Sequence, residues 1–161
     1  MNKAICSLNF MYSMERFATA IYRVQKGGFK NKAIFEKLTY AVDNEHQHAL
    51  KLKSRITELG NTPSRLAPLF QIAGYLLGGL SRCVGKKLAL KIDTSIEKRA
   101  VKDYGYFLRT LGLDDKTKQL IKSIITDEEV HIRNWQDSIE LLKARNESLQ
   151  VYPEINFGDK Q

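Results

Sequence analysis

A chain of 161 residues, 43% hydrophobic and 27% charged with three prolines, can bury a sizeable core, and its composition excludes a disordered or low-complexity protein. The net charge of +8 needs an anionic partner or a solvated basic surface. The cations are spread without the dense arm or motif of a nucleic-acid binder, so no nucleic-acid partner is expected, and an anionic membrane surface suits them at least as well.

Four long stretches carry apolar residues at helical spacing. The first spans 4–26, with a stripe of Leu8, Met11, Glu15, Ala18 and Tyr22, and stops at "KGG". The second spans 31–59, with Ile34, Leu38, Ala41/Val42, Glu45, His48/Ala49, Leu52 and Ile56, and stops at "LGNTP". The third spans 83–111, with Leu90, Thr94, Glu97, Ala100/Val101, Tyr104, Leu108 and Leu111, and stops at "LGLDD". At each stop a glycine able to take positive φ precedes a turn or capping residue, and Asp114 is placed to cap the next helix. The fourth spans 115–147, with Ile121, Ile124/Ile125, Glu128, His131/Ile132, Trp135, Ile139 and Leu142. These elements predict an all-α four-helix bundle as one domain over 1–148, followed by an irregular tail over 149–161.

Each stripe is apolar except near its middle, where an acid interrupts it, and two of the four add a histidine three residues later. A lone carboxylate on a core-facing stripe is costly, so it takes up a proton or meets a cation. A bundle brings the middles of its helices together. One Glu from each of two helices plus Glu-x-x-His from each of the other two is the ligand set of a di-iron carboxylate site. The expected metal ligands are therefore Glu15, Glu45, His48, Glu97, Glu128 and His131. Oxygen and imidazole donors suit two iron ions, with manganese the alternative, and open positions would admit O2. The chain also repeats: both halves read Glu-x6-Tyr then Glu-x-x-His, offset by 82 or 83 residues, which predicts a pseudo-twofold axis through the metals.

Other residues read less specifically. Tyr22 and Tyr104 are either core aromatics or catalytic groups beside the metals, with the four glutamates. His46 lies one position off the ligand face. Glu129 competes with Glu128 for the ligand role, but only Glu128 stands three before His131. Asp93 and Asp127 are either surface acids or hydrogen-bond partners of the histidines. Trp135 reads as packing. From Leu66 to Ser81 no charge appears, 16 positions between Arg65 and Arg82. That is too short to span a bilayer. It reads as an extra short hydrophobic helix in the crossover between the second and third helices. It would lie in a membrane interface with basic neighbours on the headgroups, or cover the bundle, or form a homodimer contact. Two distant cysteines, Cys6 and Cys83, suggest reduced thiols in a cytoplasmic protein. "MNKAICSLNF" is too short and too weakly apolar for a signal peptide.

With these residues the chain resembles the demethoxyubiquinone hydroxylase family, a branch of the ferritin-like superfamily, over roughly residues 8 to 140. "MERFATAIYRVQ", "NEHQHALKL", "TSIEKRAVKDYGYFLR" and "TDEEVHI" are similar to its four helix patterns. "PSRLAPLFQIAGYLLGGLSRCVGKKLAL" resembles its linking segment closely. The resemblance implies a monooxygenase peripheral to the inner face of a membrane. It would hydroxylate a lipophilic quinone ring with electrons from a reduced nicotinamide or a redox protein. A rubrerythrin-like iron-binding oxidase or peroxidase without an organic substrate is the alternative. Two departures stand out: Asp103 replaces the family's usual histidine before the third-helix tyrosine, and "VYPEINFGDKQ" stands where the family's closing helix would be.

Overall fold

A computed structural model describes residues 3–151. They form five helices: α1 (Lys3–Gln25), α2 (Lys32–Glu58), α3 (Ala67–Cys83), α4 (Lys86–Thr110) and α5 (Asp115–Val151), with a 3-10 turn at Lys26–Gly28. Among the described residues there is no strand, as the helical periodicity requires. The short links after α1 and α4 turn the chain back, so α1 packs on α2 and α4 on α5. The longer link between α2 and α4 carries α3, which packs along α1.

The helix ends reflect local chemistry. Asn31 caps α2 by accepting from the Ile34 N–H at 3.2 Å. Asp114 caps α5, accepting from the Thr117 N–H at 3.0 Å and its hydroxyl at 2.6 Å. α2 ends at Gly60, whose φ of 73° lets the Asn61 N–H reach back to the Ile56 carbonyl at 3.1 Å. Positive φ is not the device at the other two expected stops. The first helix tightens into the 3-10 turn, and the third ends as Leu111 becomes extended. A different glycine, Gly85 with φ 93°, separates α3 from α4. The third long helix therefore begins at Lys86 rather than 83, and Cys83 belongs to α3. α5 continues to Val151, into the expected irregular tail, because nothing from Asp115 to Val151 breaks a helix before Pro153. The rest of that tail lies outside the described residues.

α1 buries more than its predicted stripe. Ser13, Thr19, Ala20, Ile21 and Gln25 are also buried, because α3 covers the outer side. Contact is close at two glycines: a Cβ at Gly74 would sit 2.3 Å from the Phe17 carbonyl oxygen, and one at Gly78 would sit 2.9 Å from that of Ile21. Gly74→Ala is expected to push α3 off α1 and cost about 1–3 kcal/mol, read as a lowered midpoint in urea unfolding. An unchanged midpoint would show that α3 is only loosely seated.

The core is split in two. One apolar cluster includes Leu8, Met11, Leu52, Ile56, Ile121 and Ile124; the other includes Ala18, Ile34, Leu38, Leu90, Trp135 and Ile139. The four interrupting acids fall in sequence between these clusters on every long helix, so the bundle holds a polar layer between two apolar ones. The α4 stripe is the least covered. Ala100, Val101 and Leu108 are half-buried, because α4 barely touches α1 and leaves a groove there. No described helix is long and apolar enough to cross a membrane.

Candidate metal centre

All six sequence-predicted metal residues converge in the polar layer, each at most 2% exposed. They form two overlapping groups whose donor atoms lie within 4.8 Å of one another and could hold a metal ion. Glu15, Glu45, His48 and Glu128 make one; Glu45, Glu97, Glu128 and His131 make the other. Glu45 and Glu128 are common to both. The geometry therefore fits two cation positions side by side, each with one carboxylate and one imidazole of its own and two shared carboxylates.

Both histidines turn Nδ1 inward. His48 Nδ1 lies 3.4 Å from Glu15, 3.7 Å from Glu45 and 3.4 Å from Glu128. His131 Nδ1 lies 2.9 Å from Glu45, 3.6 Å from Glu97 and 3.1 Å from Glu128. Yet His48 Nδ1 and both Glu45 oxygens make no hydrogen bond. Donor atoms this close, fully buried and unsatisfied by one another, are aimed at common points between them, which is what a cation needs.

Charge is balanced by protons when no cation is bound. Burial opposes charge on His48, but Glu128, Glu15 and Glu45 overcome it and raise its pKa strongly. His131 is raised likewise against burial, by Glu128, Glu45 and Glu97. Burial, then the charges of Glu128 and Glu15, push Glu45 well above the usual carboxylate range. Burial and Glu128 push Glu97 up to about 8. Glu128 is lowered to about 2: burial disfavours its charge, but the hydrogen bond from His131 and the close approach of His48 outweigh it.

The tyrosines cross between the repeats. Tyr104 donates to Glu15 Oε1 at 2.7 Å, and Tyr22 donates to Glu97 Oε1. Each phenol thus grips the acid of the other half, so the two contacts correspond under the repeat. Burial, with neighbouring carboxylate charge second, raises both phenol pKa values well above the ordinary one. Asp127 reaches His48 Nε2 at 3.0 Å and fixes its ring. Asp93 does not act on a histidine; it pairs with Gln25 at 2.9 Å. His46 and Glu129 are exposed, away from the centre. Trp135 does pack, at 5.2 Å from Tyr22 and 6.3 Å from His131 between ring centroids. Tyr40, whose ring lies 5.9 Å from that of His131, went unforeseen because it falls off the α2 stripe; Gln25 continues the α1 stripe three residues beyond Tyr22, but no role was expected for it.

Beside the centre a groove of about 520 Å³ runs between α1 and α4. Phe10, Met14, Ile92, Ile96 and Ala100 form its apolar wall, and Tyr104 forms part of its lining. Arg99 and Asp103, paired at 2.6 Å, stand at its edge.

Residues 12–140 match the family model of ubiquinone biosynthesis protein COQ7. The chain belongs to this family. Among curated COQ7-type relatives, it is 27% identical over 139 residues to the 3-demethoxyubiquinol 3-hydroxylase of Francisella philomiragia, covering 86% of this chain and 63% of that one. It is 30% identical over 115 residues to the 3-demethoxyubiquinol 3-hydroxylase of Bordetella petrii, covering 71% and 51%. The chain thus spans between half and just under two thirds of the length of these relatives. The COQ7 match includes all six converging residues and both tyrosines.

Proposed function

We propose that the chain is a di-iron monooxygenase that hydroxylates a quinone-type ring, as the names of its relatives indicate for them. The observation that carries this reading is the pair of ligand groups sharing Glu45 and Glu128, set beside an apolar groove that reaches Tyr104. Glu15 and His48 would hold one ion, Glu97 and His131 the other, and the shared glutamates both. Carboxylate and imidazole donors favour iron, with manganese the alternative. When bound, the ions would supply dioxygen reduction and transfer of one oxygen atom to the ring.

The chain's own residues do the rest. Asp127 keeps His48 Nδ1 facing inward by holding Nε2. Tyr22 and Tyr104 orient Glu97 and Glu15 and are the groups most directly placed to exchange protons with them. The two apolar clusters exclude water from above and below the polar layer. The groove admits a flat lipophilic ring and leads it to Tyr104.

α3 supports a membrane partner. Leu66, Leu69, Ile72, Leu76 and Leu80 are each more than half exposed, and Arg65, Arg82, Lys86 and Lys87 flank them. Such a helix lies in an interface with its cations on anionic headgroups, where a lipid-soluble substrate is delivered. A homodimer contact is the other use of that face. Electrons come from a reduced nicotinamide or a redox protein.

The test supplies iron-loaded protein with O2, a reductant and a short-tailed demethoxyquinol, and measures hydroxylated product against O2 consumed. Product in near-equal amount supports the monooxygenase. Rapid Fe(II) or peroxide turnover without product would instead favour the rubrerythrin-like oxidase.

A further inference from the structure

Asp93 is a fully buried carboxyl on α4, one turn before Glu97. No Lys, Arg or His forms an ion pair with it among the described residues. Its Oδ1 accepts from Gln25 Nε2 at 2.9 Å, and the same nitrogen donates to Ser81 Oγ at 2.9 Å. Two acceptors of this pair are left without a donor: Asp93 Oδ2 and Gln25 Oε1. Buried polar atoms are rarely left so. One proton resolves both. A carboxylic O–H at Oδ2 donating to Gln25 Oε1 closes the ring that the amide N–H and Oδ1 begin. Burial also pushes the Asp93 pKa up to about 7, against the opposing pull of Gln25.

The pair joins a cavity to the turn of α4 that precedes Glu97. Gln25 and Ser81 line a cavity of about 280 Å³ whose other walls include the exposed Arg82 and Lys86. On the inner side, Asp93 stands one turn of α4 before Glu97, which accepts from the Tyr22 phenol. The device is one-sided. At the repeat offset of 82, Asp93 corresponds to Met11 and Gln25 to Phe107, so the other half is apolar at the same places. That other half is the one whose tyrosine lines the groove.

We propose that Asp93 is held as a carboxylic acid by Gln25 and stores a proton for the metal centre, refilled through the cavity that Gln25 and Ser81 line. This rests on the monooxygenase reading. Each turnover then consumes one O2, two electrons from the external reductant and two protons; one oxygen atom enters the ring and the other leaves as water. The polar half supplies protons while the apolar half admits the ring.

Infrared spectra of metal-free protein at pH 6 test the stored proton directly. Wild type minus Asp93→Asn should show a carboxylic C=O band that shifts in Gln25→Leu and exchanges rapidly in D2O. No such band would mean that Asp93 is ionised, and exchange only on global unfolding would mean that no route exists; either overturns the proposal. In iron-loaded protein, Asp93→Asn should keep full iron content but slow hydroxylation roughly tenfold or more, with an altered solvent isotope effect. An unchanged rate and isotope effect would also overturn it. If wild type itself binds no iron or forms no product, the monooxygenase reading fails, while the infrared band still decides the state of Asp93.

Discussion

Replacing Glu128 by alanine is expected to leave a folded bundle that retains neither metal ion, whereas Glu15→Ala retains one. The asymmetry comes from the sharing: Glu128 and Glu45 belong to both donor groups, Glu15 to only one. Removing Glu128 also removes the carboxylate that both histidines approach, at 3.4 and 3.1 Å. Loss of an outer partner of a metal ligand already costs ~10–100-fold in affinity or activity, so loss of a shared ligand should cost at least ~100-fold in hydroxylation. Folding should survive, since the apolar clusters on either side are untouched. Metal analysis of the two variants after identical loading checks this. Equal iron contents in Glu128→Ala and Glu15→Ala would show that the shared positions are misassigned.

Metal loading at pH 7 is expected to release up to four protons. Without metal, His48 and His131 are held protonated by surrounding carboxylates, and Glu45 and Glu97 are held neutral by burial and by Glu128. Glu128 already binds no proton at that pH. A cation takes the imidazole nitrogen and the carboxylate oxygens in their deprotonated forms, so each of the four must give up its proton. The sign is fixed: lowering the pH restores protons and weakens binding, and raising it strengthens binding. The overall constant for binding both ions should rise by as much as about four powers of ten per pH unit near neutrality, about two per ion on average, flattening as Glu97 passes about 8 and loses its own proton. Stopped-flow mixing of Zn(II) or Fe(II) with weakly buffered protein and an indicator dye measures the release. No acidification on mixing would mean that the cluster is already ionised or that the metal binds elsewhere.

The centre was legible in the sequence because burial and charge conflict there. Glu15, Glu45, Glu97 and Glu128 each break an otherwise apolar 3.6-residue period at mid-helix, and only a bundle brings four such breaks together. The helix pairs were legible from the repeat, whereas for Tyr22 and Tyr104 the sequence left core packing and a place beside the metals equally open. The features that stayed hidden depend on packing across the bundle. Gln25 and Asp93 are 68 residues apart; Gln25 follows Tyr22 by three residues and Asp93 follows Leu90 by three, so both are in register with their stripes, but nothing in either neighbourhood announces their pairing. The second buried face of α1 is written in Gly74 and Gly78, which as sequence look like helix-weakening residues rather than a contact surface. Gly85 was hidden for the opposite reason: it sits between two helix-forming stretches and ends one of them without a turn-rich neighbourhood.

The most direct measurement uses the chain's single tryptophan. Trp135 is fully buried with its ring 6.3 Å from that of His131, so a paramagnetic ion at the centre quenches it at close range. Anaerobic Fe(II) titration monitored by tryptophan fluorescence should show quenching that breaks sharply at two equivalents per chain, and no such break in Glu128→Ala. A curve without a break, or one that Glu128→Ala leaves unchanged, would contradict a metal centre at these residues.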